Sequence, residues 1–162
     1  MGQEIERKYL VKNDDYKEET TDHLHIQQGY FADGVRVRMS KNDSGYQQGF
    51  ITFKSPKEGM TRDEFEYEIP YVEAKEILDD MCKGPLIEKI RHHVYFEDNK
   101  WEVDEFFGDN EGLVITELEV PGEDYEYNKP NWVGKDVTDK KRYYNSDLTE
   151  LPYKKWKKKW KN

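Results

Sequence analysis

Alternation dominates the chain. Charged residues recur at every second position through Glu4, Glu6 and Lys8; Arg36 and Arg38; Glu64, Glu66 and Glu68; Lys89 and Arg91; Glu102 and Asp104; and Glu117 and Glu119. Between them stand Ile5, Val37, Phe65, Tyr67, Ile90, Val103 and Leu118. Side chains two apart on a strand share a face, so each segment predicts a strand with one apolar and one ionic side. The pattern places strands near residues 3–11, 24–31, 34–40, 48–55, 62–69, 87–96, 100–107 and 113–120, a number suited to a barrel. Turn-forming stretches such as Asp98-Asn99-Lys100 and Asp109-Asn110-Glu111-Gly112 predict antiparallel neighbours. The period lengthens between Tyr71 and Lys83, where Ala74, Ile77, Leu78, Met81 and Cys82 fall on one face of a helix that Gly84-Pro85 stops. A shorter helix is expected within Asp14–Thr21, and residues 121–145 read as irregular with brief helices.

Composition narrows the picture without changing it. The 162 residues suit one domain. At 38% charged and 35% hydrophobic the chain would border on disorder, but the patterning and 14% aromatics argue for a folded protein that uses part of its charge internally. A net charge of −9 disfavours general nucleic-acid binding while allowing a concentrated basic interior. No apolar run approaches the ~20 residues needed to span a bilayer, and the N-terminus lacks a signal-like hydrophobic segment, so no membrane role and a cytoplasmic location are expected. The single cysteine, Cys82, reads as a small buried hydrophobe.

The ionic faces carry the chemistry. If the strands close with these faces inward, Glu4, Glu6, Glu64, Glu66, Glu102, Asp104, Glu117 and Glu119 converge with Lys8, Arg36, Arg38, Lys54, Lys89 and Arg91. Any one such pair is ordinarily a solvated strand face; the joint pattern of both signs on strand after strand is different. Unpaired buried ions cost several kcal/mol each, so this lumen must be wet, mutually paired, or both. Arginine forks and lysine ammonium groups suit the oxygens of an oligophosphate. The carboxylates then call for a hard divalent ion, Mg²⁺ or Mn²⁺, to bridge to that anion. Glu68 is left out of the site as a barrel-mouth residue, and His93 shares the parity of Lys89 and Arg91.

At this point the sequence resembles the CYTH, or triphosphate tunnel metalloenzyme, superfamily. Glu4-Ile5-Glu6-Arg7-Lys8 matches its opening E-x-E-x-K signature, and six further charged elements follow in the family's order: Arg36-Val37-Arg38, Thr52-Phe53-Lys54, Glu64-Phe65-Glu66, Lys89-Ile90-Arg91, Trp101-Glu102-Val103-Asp104 and Glu117-Leu118-Glu119. Residues 137–145 resemble its closing motif. The resemblance implies an α+β fold, a closed eight-stranded antiparallel β-barrel with flanking helices, whose tunnel takes a triphosphate. It is most similar to the short bacterial members, many of which hydrolyse inorganic triphosphate to pyrophosphate and phosphate with a divalent metal. Carried onto this chain, the metal candidates are Glu4, Glu6, Glu117 and Glu119, supported by Glu64, Glu66 and Asp104. The phosphate binders are Lys8, Arg36, Arg38, Lys54, Lys89 and Arg91, with Glu6 or Glu66 as proton acceptor and Lys8 beside the reacting group.

Other functions remain open at this stage: a nucleoside or thiamine triphosphatase, an adenylate cyclase of the class IV type, or a non-catalytic polyphosphate- or nucleotide-binding module. The absence of a recognisable adenine-reading element favours a small inorganic substrate, and a full carboxylate set favours catalysis over binding alone. The oligomeric state does not follow from the residues. The barrel domain is assigned to residues 1–152. Residues 153–162 form a basic tail in which Trp156 and Trp160, four apart, are expected to share a helix face and dock on the barrel, with polyanion or membrane contact as the alternative.

Overall fold

The computed structural model describes residues 2–158. Nine strands and three short α-helices follow one another as β1 (Gly2–Val11), α1 (Tyr16–Glu19), β2 (Thr20–Ala32), β3 (Val35–Asn42), β4 (Gln47–Lys54), β5 (Thr61–Ile69), α2 (Tyr71–Asp80), β6 (Ile87–Phe96), β7 (Asn99–Phe106), β8 (Val114–Glu119), β9 (Val133–Asp136) and α3 (Asn145–Glu150). The sheet order is β5-β4-β3-β2-β6-β7-β8-β1-β9, and an additional β5–β1 pairing closes the first eight strands into an antiparallel barrel. Closure is shared along β1. Its first half pairs with β5, from Gly2↔Glu64 to Ile5↔Thr61, and its second half pairs with β8, from Glu6↔Glu119 to Leu10↔Ile115. Beyond the β5 contact, β9 pairs with β1 at Tyr9↔Asp136 and Val11↔Val133. No helix among the described residues is long and apolar enough to cross a membrane.

Apolar packing divides between the barrel's outside and one of its ends. On the outside of β1, β6, β7 and β8, Trp101, Val103 and Leu118 pack with Tyr9, Trp132 and the α1 residue Tyr16. Across the barrel, Ala74 and Leu78 of α2 seat on Val37 and Met39. Gly49 permits that seating, because a Cβ there would lie 2.8 Å from the Ala74 Cβ and 2.9 Å from the Ile69 carbonyl oxygen. A third cluster joins Ile87, Phe106 and Ile115 to Tyr143, Leu148 and Trp156 of the C-terminal segment. These strand residues lie two positions from Lys89, Asp104 and Glu117, so by strand parity they share the inward face. That face therefore changes from ionic to apolar along each strand, and the C-terminal segment plugs the apolar end.

Several elements differ from the sequence expectation. The predicted helix over 71–83 stops at Asp80, which leaves Met81 54% exposed rather than on a buried face. Phe65 and Tyr67 belong to the apolar side of β5 but remain 43% and 51% exposed, because no helix covers that stretch. Strand β9 occupies a segment read as irregular; four residues between turns give no usable alternation. At the C-terminus the described residues begin with a 3₁₀ turn, Tyr153–Lys155, rather than an α-helix, and Trp156 is extended and buried. Trp160 lies outside the described residues.

Candidate active site

Thirteen of the fourteen residues expected from alternation to converge meet around one cavity of about 1350 Å³: Glu4, Glu6, Lys8, Arg36, Arg38, Lys54, Glu64, Glu66, Lys89, Arg91, Glu102, Glu117 and Glu119. Register explains the convergence. Cross-strand partners Glu6↔Glu119, Lys8↔Glu117, Arg36↔Thr52, Thr52↔Glu66 and Lys54↔Glu64 point together, so inward parity propagates around the barrel. The exception is Asp104. It is 1% exposed and stands behind the cavity wall, where Lys89 Nζ donates to Oδ2 at 2.7 Å, Arg91 Nε to Oδ1 at 2.8 Å and Arg91 Nη2 to Oδ2 at 2.9 Å. Parity alone does not separate a lumen carboxylate from a counter-ion on the same strand.

The cations are held by defined partners. Arg36 Nη2 donates to Thr52 Oγ1 at 3.2 Å and to Glu66 Oε2 at 3.4 Å, and Thr52 Oγ1 donates to that same carboxylate oxygen at 2.9 Å. Lys54 Nζ stands 3.3 Å from Glu64 Oε2 and 3.7 Å from Glu4 Oε1. Arg91 also approaches Glu102 at 3.5 Å and Glu117 at 3.7 Å. Burial lowers Lys89 to about 7 against the raising influence of Asp104, and burial with the Arg36 and Arg91 charges lowers Arg38 to about 9. Both cations thus sit where extra negative charge is wanted.

The carboxylates form proton-sharing pairs. Burial, then a hydrogen bond to Glu64, raises Glu4 to about 7; Glu64, despite its own burial, is held at about 2 by that bond and by Lys54. Glu6 and Glu117 behave alike. Burial and the Glu117 charge push Glu6 well above the carboxylate range, while Lys8 and the bond from Glu6 hold Glu117 well below it. Glu119 is raised by burial and by Glu102 and Glu64. Among the described residues no three acidic, histidine or cysteine side chains enclose an ion by themselves. The donor set nonetheless fits a hard ion that keeps water and substrate oxygens in most positions: all the donors are oxygen, and two carboxyl pairs face each other.

Several lining residues escape the alternation pattern. Lys57, Lys83, Lys141, Tyr144 and Asn145 come from loops and the C-terminal segment, where no strand period operates. Lys57 Nζ donates to Tyr144 Oη and to the Thr138 carbonyl, each at 3.3 Å, and burial beside Lys8 lowers its pKa. Arg62, two residues before Glu64, was accessible to the same parity rule. At the other side, buried His93 bonds Asp22 through Nδ1 and lies 3.6 Å from Glu102 through Nε2, contacts that raise its pKa.

A closed antiparallel barrel with a two-signed ionic lumen defines a class of anion-binding tunnel proteins. Residues 2–152 match the CYTH domain, and the chain belongs to the CYTH family. A protein of Acetivibrio thermocellus named inorganic triphosphatase is 48% identical over 160 residues, covering 97% of this chain and 99% of the relative. An inorganic triphosphatase of Nitrosomonas europaea is 32% identical over 151 residues, covering 90% and 95%. A solved inorganic triphosphatase structure aligns with a TM-score of 0.61 at 29% identity, covering 90% of this chain and 96% of its own.

Proposed function

We infer that this protein is a divalent-metal-dependent inorganic triphosphatase that hydrolyses tripolyphosphate to pyrophosphate and orthophosphate. The observation that carries the reading is the lumen itself, which sets a ring of lysines and arginines against paired, proton-sharing carboxylates. A simple anion receptor needs the cations and gains nothing from the acids. The inorganic triphosphatases named among the relatives support the choice of substrate.

In this reading Lys8, Arg36, Arg38, Lys54, Lys89 and Arg91 grip the phosphate oxygens and hold the terminal phosphorus in line for attack by water. Glu4, Glu6, Glu117 and Glu119 would hold Mg²⁺ or Mn²⁺, with Glu64 and Glu66 beside them. When bound, such an ion neutralises phosphate charge and makes a water more acidic. Asp104, its oxygens already taken, orients Lys89 and Arg91. Water oxygen bonds to the terminal phosphorus as the bridging P–O bond breaks toward pyrophosphate, and the released proton passes to a lumen carboxylate. Glu6 and Glu66 are the two candidates to take it, Glu66 already accepting from Thr52 and Arg36. Lys8 stands opposite Glu117 and 5.2 Å from the Tyr144 ring, and its charge acts on Glu6.

The test is phosphate release from tripolyphosphate, ATP, thiamine triphosphate and pyrophosphate with and without Mg²⁺ or Mn²⁺. Tripolyphosphate is expected to be the fastest substrate, and only with metal. Equal turnover in excess EDTA would remove the metal from the reading, and faster turnover of an organic triphosphate would replace the substrate.

A further inference from the structure

We propose that Asn145, the first residue of α3, is a positioning residue for the phosphate grip, acting through Gln28 and Lys89; the proposal rests on the triphosphatase reading above. The Asn145 side-chain oxygen accepts from two buried donors, Gln28 Nε2 at 3.1 Å and Lys89 Nζ at 3.2 Å. Gln28 in turn accepts through Oε1 from Arg38 Nε at 2.9 Å. One amide oxygen from the C-terminal segment therefore fixes two cations on β3 and β6, strands that are separated in the sheet by β2.

The chemistry of these groups makes the link directional. A glutamine amide has an acceptor end and a donor end. With Asn145 taking the donor end, the acceptor end faces Arg38; without it, a flipped amide would present N–H to N–H. Arg38, held at Nε, keeps its two terminal nitrogens for the lumen. An ammonium group has three protons and rotates freely. Asp104 takes one from Lys89 and Asn145 a second, which leaves the third for a phosphate oxygen. The position of Asn145 is set in turn by Leu148 and Tyr143, buried in the apolar plug three residues on and two residues back. Plug and phosphate grip are thus mechanically joined at one side chain.

Steady-state kinetics on tripolyphosphate with Asn145→Ala, Gln28→Ala and the double variant test the junction. Each single variant is expected to raise KM about tenfold, the loss of one hydrogen bond to a charged group, while kcat stays within about threefold. Because both act through one chain of contacts, the double variant is expected to match the worse single variant rather than multiply the two. A lowered Tm with unchanged KM, or fully multiplicative effects, would overturn the proposal. Should the alanine variant fail to fold, Asn145→Ser falls short of both donors in the same way and is held to the same outcomes. Wild-type protein without tripolyphosphate turnover would instead defeat the triphosphatase reading, and calorimetric tripolyphosphate affinity would then carry the same comparison between variants.

Discussion

Glu4 and Glu64 illustrate what a charged lumen does to a single residue. The pair holds one proton between about 2 and about 7, whereas in the unfolded chain both carboxyls titrate near 4.5. Between 4.5 and 7 the folded state binds the extra proton, so stability falls as pH rises through that window; between 2 and 4.5 the sign reverses. Glu6, also raised, adds in the same direction. Metal-free protein is therefore expected to melt at a lower temperature at pH 7 than at pH 5, with Mg²⁺ restoring the loss at pH 7; a flat profile in EDTA would contradict the pairing. Glu4→Gln or Glu119→Gln is expected to lower kcat by about 10²-fold or more at saturating metal, since each removes a ligand's charge while nearly keeping its shape. Activity within threefold of wild type would take these residues away from the ion. Arg36→Ala and Arg38→Ala are expected to weaken tripolyphosphate binding by about 2–5 kcal/mol in calorimetry, because each leaves phosphate oxygens without a forked donor in a poorly hydrated site.

Among the elements, α2 and the C-terminal segment carry packing that the strand pattern does not contain. Gly49→Ala is expected to cost about 1–3 kcal/mol in urea denaturation, as its new methyl meets Ala74 on one side and an immovable backbone carbonyl on the other. Unaltered stability would mean that α2 does not press on β4. Trp156 is 4% exposed and stands edge-on to Tyr143 with ring centroids 5.1 Å apart. Its indole N–H donates to the Leu151 carbonyl at 3.0 Å, so Trp156→Ala loses both burial and a polar contact. The expected cost is about 3–5 kcal/mol, read as a lowered denaturation midpoint. The four-residue spacing of the tryptophans suggested a helix, but Trp156 follows a 3₁₀ turn in extended backbone and lays its ring against the barrel end.

At the scale of the whole molecule, the barrel concentrates cations inside a chain whose net charge is −9. The rim residues Lys57, Arg62, Lys83 and Lys141 extend that positive field to the cavity opening. Capture of a polyanion against an acidic exterior should therefore depend on these residues most at low ionic strength. Lys83→Gln combined with Lys141→Gln is expected to reduce kcat/KM for tripolyphosphate in low salt, with the deficit shrinking as ionic strength shortens the ~10 Å screening length. A salt-independent deficit would place these lysines in direct contact with bound phosphate.

The sequence by itself determined which side chains face one another around the tunnel. Period-two alternation is enforced by strand geometry wherever a face must be buried, and so Glu4, Arg38 and Lys89 could be assigned to one surface from spacing alone. It also determined the length and amphipathic face of α2 to within one turn. Tertiary structure alone decided that Asp104 is a counter-ion behind the wall rather than an open lumen carboxylate, since neighbours from β6 settle the fate of its oxygens. It likewise decided that β9 joins β1, that Phe65 and Tyr67 stay uncovered, and that Asn145 and Lys57 reach the site from irregular segments. Those segments follow no repeat, because their backbone is directed by the surfaces they pack against, and those surfaces exist only once the barrel has closed.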